Sequence, residues 1–175
     1  ILDVKLELKK VTSSYLDVET VRLNNLKELF DLQNETIDSH EYLFTWIDSH
    51  KIGRNMGRSI LQRANHSKSK ELIYKTKKSI PIPYMPSFAI NQYSVELFNF
   101  AYYLSVGNKP KNNKMYITDY FYPLDGLDNW NRLYGRKGFL EYQVVIPSTS
   151  AYETIYELLS RITRSKLASF IAAIK

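Results

Sequence analysis

Glu141 and Gln143 are the residues whose types and spacing best suit chemistry. They fall in the run Phe139-Leu140-Glu141-Tyr142-Gln143-Val144-Val145-Ile146, the clearest strand pattern in the chain. Its alternation sends Leu140, Tyr142, Val144 and Ile146 to one face and Phe139, Glu141, Gln143 and Val145 to the other. Two residues along a strand is roughly 7 Å, so a carboxylate and an amide there can grip neighbouring polar atoms of one ligand. Composition alone favours a face that meets water; the alternative is a ligand cleft lined by a hydrogen-bonding pair. Lys175 shares a face with Ser169, Ile171 and Ala173, small residues for the most part, where an ammonium can partner an anion or, with a lowered pKa, serve as a base. Periodicity alone favours a solvated lysine. The pairs Gly53-Arg54 and Gly57-Arg58 set turn glycines beside guanidiniums that can bind phosphate, with structural use the better expectation.

Other chemistry is excluded by what these residues lack. There is no cysteine, hence no disulfide, thiolate zinc site or cysteine nucleophile. His40, His50 and His66 are too dispersed for a metal-ligand motif. No phosphate loop, dinucleotide Gly-x-Gly-x-x-Gly, Gly-x-Ser-x-Gly elbow or His-Glu-x-x-His helix occurs. No apolar run approaches the roughly 20 residues that span a bilayer, and no signal-peptide pattern opens the chain, so we expect a cytoplasmic protein or one peripheral to a membrane. The 14% aromatic content is dominated by 14 Tyr, rings suited to half-buried sheets and polar-ligand clefts. The net charge of +6 fits plain solubility better than nucleic-acid binding, because no arginine-rich block accompanies it.

The elements that must position these residues follow from periodicity. Leu2, Val4, Leu6 and Leu8 alternate with charged residues as in a strand, residues 15–21 give a second, and residues 41–48 a third, with Tyr42, Phe44 and Trp46 opposite Leu43, Thr45 and Ile47. Asn25 with Glu28 resembles a capping box opening a helix to about Gln33. Residues 94–106 form a helix on Val95, Phe98, Ala101 and Tyr102, ended by Gly107. Residues 115–122 read as a strand, and Asp125 as the cap of a short helix carrying Leu127, Trp130 and Tyr134. Ser150 with Glu153 is a second capping box, before a helix to about Arg164. Residues 167–175 close as a strand. Residues 66–78, with Lys68, Lys70, Lys75, Lys77 and Lys78, and residues 107–114, with Lys109, Lys111 and Lys114, read as surface loops. Ile1 in place of an initiator Met, and an end inside an apolar run, lead us to expect further sequence on both sides.

The segment Tyr120-Phe121-Tyr122-Pro123-Leu124-Asp125, then Asn129-Trp130-Asn131-Arg132-Leu133-Tyr134-Gly135, then Gly138-Phe139-Leu140-Glu141-Tyr142-Gln143-Val144-Val145-Ile146-Pro147 resembles the decaprenylphosphoryl-β-D-ribose 2′-oxidase-like FAD-linked oxidases. These are flavoenzymes of the vanillyl-alcohol-oxidase type, more distantly related to aldonolactone oxidases. Weaker similarity extends through residues 42–63, where Trp46-Ile47-Asp48 and Gly57-Arg58 fit, while residues 66–118 match poorly. The resemblance implies an α+β fold, a large antiparallel sheet with helices packed on one face. It implies residues 1–10 as the end of an FAD-binding domain and residues 11–175 as a substrate-binding cap, incomplete at the C-terminus.

It further implies oxidation of a secondary alcohol of a sugar, lipid-linked sugar or aldonolactone by hydride transfer to FAD, which a domain outside this chain would hold, since six glycines leave nothing to cradle a flavin pyrophosphate. The family's Gln-x-Gln strand falls on Glu141 and Gln143; Gln143 fits and Glu141 departs, adding a negative charge. Lys175 falls where the family closes a Ser-Phe run with a site lysine. Glu141, Gln143 and Lys175 are thereby expected at the substrate, Gln143 and Lys175 also at the flavin edge, with no base assigned and no metal. A reductase or epimerase partner follows from the same resemblance, as does membrane contact through basic loops, and nucleic acid is not expected. The competing reading is a basic module that binds nucleic acid or anionic membrane through Lys68–Lys78.

Overall fold

The computed structural model describes residues 3–76, 78–86, 88–166 and 169–175. A five-stranded antiparallel sheet organises them, in the order β5 (Lys111–Tyr116), β1 (Tyr15–Leu23), β3 (Ser59–His66), β2 (Tyr42–Ile47), β7 (Ala173–Ile174). β1 (Tyr15–Leu23) leads through α1 (Leu26–Thr36) to β2 (Tyr42–Ile47) and β3 (Ser59–His66). A two-residue β4 (Ile80–Pro81) precedes α2 (Gln92–Ser105), β5 (Lys111–Tyr116) and the short α3 (Ile117–Phe121). β6 (Leu127–Asp128), which pairs in parallel with β4, α4 (Ala151–Ser165) and β7 (Ala173–Ile174) complete the chain. The α+β class is as expected.

Alternation along the strands makes two cores, one on each face. Leu23, Ile47 and Leu61 meet Leu26 and Leu29 of α1 and Ile155 and Leu159 of α4. On the other face Leu16, Val18 and Ala64 pack with Tyr120 of α3, and Trp46 and Ile60 with Tyr103 of α2. The expected layer of helices on one face is α1 with α4; α2 and α3 add a second layer, because β1, β2 and β3 carry apolar residues on both sides. Each fully buried Leu contributes about 1.5–3 kcal/mol.

The helix ends follow local chemistry. Asn25 Oδ1 accepts from the Glu28 N–H at 2.9 Å, and the Glu28 carboxylate reaches back to the Asn24 N–H at 2.8 Å, one residue before the N-cap. Asn91 caps α2 with a reciprocal bond from Ser94. The capping box expected at Ser150 does not form: Ser150 Oγ donates to the Pro147 carbonyl at 3.4 Å. Gly57 has φ +75°, and a Cβ there would stand 2.8 Å from Leu26 Cβ, so the turn before β3 can pass α1 only as glycine.

Further sequence expectations are corrected. Residues 3–10 are exposed and irregular, Leu2 lying outside the described residues, because their alternation finds no partner strand. Residues 115–122 are the end of β5 followed by α3, a run too short for period to separate strand from helix. β5 takes over part of the expected loop at 107–114; its lysines and asparagines suit a sheet edge, where side chains meet water while the backbone pairs with β1. Of the closing strand at 167–175, residues 173–174 pair with β2, and Leu167 and Ala168 lie outside the described residues.

Candidate functional site

Residues 138–147 form no ladder and are exposed almost throughout, Leu140 and Val145 fully so. The sequence supplies an alternating strand pattern, yet no strand lies alongside it among the described residues, and without inter-strand hydrogen bonds the pattern has nothing to lock. Glu141 and Gln143 nevertheless meet: Gln143 Nε2 donates to Glu141 Oε1 at 2.8 Å. That bond leaves the second amide N–H and the Oε1 of Gln143 to other partners. Lys175 is exposed at the end of β7, whose residues 173 and 174 pair with Trp46 and Thr45. Among the described residues no hydrogen bond or ion pair joins Lys175 to Glu141 or Gln143.

A series of ring contacts ties the two site-bearing segments together. Phe139 packs on Tyr134 at 4.7 Å and on Trp130 at 5.1 Å between ring centroids. Tyr134 continues to Phe170 at 6.1 Å, Phe170 to Phe98 of α2 at 5.1 Å, and Trp46 Nε1 donates to the Phe170 carbonyl at 3.0 Å. Phe139 stands two residues before Glu141 and Phe170 five before Lys175, so Tyr134 bridges the two segments. Burial pushes the Tyr134 phenol above its ordinary pKa. The sequence marks Trp130 and Tyr134 as sharing a helical face, and the structure has them on a 3-10 stretch entered through Asn129 at φ 58°. Their role as a bridge had no signal in the sequence, because it depends on Phe170, 36 residues beyond Tyr134.

The arginine of the second Gly-Arg pair is structural, as expected. Arg58 is buried against Asp48, with Nε and Nη2 at 2.8 and 2.7 Å from Oδ2. Asp48 Oδ1 accepts from Asn99 Nδ2 at 3.1 Å and from the His50 N–H at 3.0 Å. The guanidinium also lies 4.6 Å from the Tyr103 ring centroid, which fixes α2 to the turn before β3. Gly53 and Gly57 both take positive φ, the turn role read for them.

Two open depressions lie elsewhere. One of about 750 Å³ is lined by Asp17, Glu19, Arg63, His66 and Lys114 among others, and Glu19 is already paired with Arg63. The other, about 560 Å³, is lined by His50, Lys51, Arg58, Glu96 and Lys166, where Lys51 and Glu96 pair at 2.7 Å. Glu141, Gln143 and Lys175 line neither. Among the described residues no cluster of metal-ligating side chains occurs.

The described residues thus form an α+β domain that offers a few polar side chains on an open surface. In sequence the chain is similar to decaprenylphosphoryl-beta-D-ribose oxidase of Mycolicibacterium smegmatis (strain ATCC 700084 / mc(2)155), 25% identical over 187 aligned residues that take in 100% of this chain and 40% of that protein. The chain spans about two fifths of the length of the curated relative it matches. No protein-family model matches. This distant similarity supports the oxidase grouping in its coarse form.

Proposed function

We propose that the chain is the substrate-binding part of an FAD-dependent oxidoreductase that oxidises a secondary alcohol of a sugar, a lipid-linked sugar or an aldonolactone. Similarity along the whole chain to the mycolicibacterial oxidase carries this proposal. On it, residues 1–10 end an FAD-binding domain and residues 11–175 belong to the cap. FAD, when bound, supplies the hydride acceptor. The residues at hand fit the edge of its ring system rather than its pyrophosphate: the amide of Gln143 keeps a donor and an acceptor, and Lys175 offers a cation. Their part is to hydrogen-bond the substrate hydroxyls and hold the carbinol carbon in line for transfer. Glu141 places a carboxylate 2.8 Å from Gln143, which favours a neutral sugar or polyol end at that point over a phosphate. A reductase or epimerase partner would take up the ketone product.

The test is the full-length gene product purified from its own reading frame. Flavin absorbance, with reduction by a sugar or lipid-linked sugar, is expected. Gln143→Ala and Lys175→Ala should each lower kcat/KM by about 10–100-fold with flavin retained. Glu141→Gln should lower KM for anionic substrates by roughly fivefold, the effect of one like charge removed. A gene product that binds no flavin at any stage of purification would sink the proposal.

A further inference from the structure

Three elements wall the depression of about 560 Å³. The turn between β2 and β3 gives it His50, Lys51 and Arg58, α2 gives Gln92 and Glu96, and the C-cap of α4 gives Lys166. Three cations thus stand there against one carboxylate. Glu96 is held by Lys51 at 2.7 Å and Arg58 is balanced by Asp48, so Lys166, exposed and in no ion pair among the described residues, leaves the wall net positive. Two polar atoms just beneath the surface are unmatched. His50 Nε2 and Arg58 Nη2 are both buried, and neither makes a hydrogen bond among the described residues; Nη2 lies 2.7 Å from Asp48 Oδ2 but off the bonding angle. Ser49 Oγ is 3.4 Å from His50 Nδ1, and with the hydroxyl donating there the ring proton is on Nε2, which makes that atom a donor. Buried donors are nearly always matched, so unmatched ones in the wall of a depression point to a ligand that answers them.

Charge and the placement of donors indicate its chemistry. A metal cation is repelled by the positive wall. A carboxylate takes its donors in one plane, whereas these converge from three elements, as suits a tetrahedral ion. α2 adds the positive end of a 14-residue helix; its Tyr93 and Ser94 N–H groups are taken by Asn91 Oδ1, so it offers its field rather than a backbone nest. α4 ends at the same depression with the opposite pole, which the Lys166 ammonium offsets. We infer that this depression binds an oxyanion of the phosphate class, held by Lys51 and Lys166 and by His50 Nε2, which a turn of the ring presents to the ion. Arg58 keeps its pairing with Asp48 and supplies charge from behind. Glu141, Gln143 and Lys175 line no part of the depression, and the inference stands independently of the flavin proposal.

The test is nuclear magnetic resonance of the full-length gene product carrying isotope-labelled histidine, titrated with sodium phosphate at fixed pH and ionic strength. The His50 ring signal, identified as the one missing from His50→Gln, is expected to move and to saturate in the low-millimolar range. Lys166→Gln should weaken binding about fivefold, and acetate should bind at least about tenfold more weakly than phosphate. Thermal unfolding reads the same site without the histidine variant: phosphate should raise the Tm of the parent protein more than that of Lys166→Gln. Methyl phosphate, run in parallel, separates two sources of one group. Binding tighter than phosphate assigns the site to a phosphoryl group on a larger molecule and weaker binding to the free ion, and either result supports the site. A His50 signal that stays still up to about 50 mM phosphate, an equal response to acetate, or an affinity indifferent to Lys166→Gln would overturn the inference. Flavin absorbance is recorded on the same samples, so failure of the flavin proposal and failure of this one are told apart.

Discussion

Arg58 and Asp48 show how much one pair can carry. Both are buried, and the pair is worth keeping only because Asn99, the His50 N–H and the Tyr103 ring complete the arrangement. Arg58→Met should therefore cost about 3–5 kcal/mol in urea denaturation, since it leaves a buried carboxylate without its cation. A loss under about 1 kcal/mol would mean that water reaches Asp48. Tyr120 gives a second expectation. Burial pushes its phenol up from 10.0 to about 12, and its hydroxyl donates to the Gln62 carbonyl at 3.3 Å. Between those values the unfolded chain has lost this proton while the folded one keeps it, so stability falls as pH rises from 10.0 toward about 12. Tyr120→Phe should flatten that part of an alkaline unfolding profile, after the tyrosines common to both proteins are subtracted.

At the level of elements, what the residues disclosed depended on whether the signal was local. Asn25 with Glu28 could be read because a cap is made by neighbours in sequence; Asn25→Ala should lower stability by about 1 kcal/mol, checked by thermal unfolding. β1, β2 and α2 were legible from period alone. Residues 138–147 have a stronger alternation than β5, yet β5 is the strand, because β1 offers it a backbone to pair with and nothing among the described residues offers one to 138–147. Pattern specifies a face, and partnership decides the element. For the same reason the candidate site was legible in part. The contact between Glu141 and Gln143 follows from separation by two residues, whereas the bridge from Phe139 through Tyr134 to Phe170 required folding to bring distant rings together.

For the whole molecule the consequence is uneven stability. The two cores share β1, β2 and β3 and should unfold in one transition, while residues 138–147 are held near their two ends, by the ring contacts of Phe139 and by Ile146 against the α1–α4 core, and are exposed between. Limited chymotrypsin digestion should cut first in the exposed irregular segments, at Leu8, at Tyr74 and at Leu140 or Tyr142, and leave the sheet intact. First cuts inside α1 or α4 would contradict this hierarchy. Tyr134→Ala should speed the early cleavage and change the global urea midpoint little.

The ring series that joins the site-bearing segments also places the two tryptophans of the chain. Trp46 is buried at its sheet end, against Tyr102 at 4.9 Å, and Trp130 is half-buried at its far end, beside Phe139. The protein thus carries its own pair of optical probes, one in the scaffold and one beside Glu141 and Gln143. In a Trp46→Phe background, emission from Trp130 would follow the site segment alone, and a ligand that orders residues 138–147 would announce itself by a blue shift that Trp46 does not share.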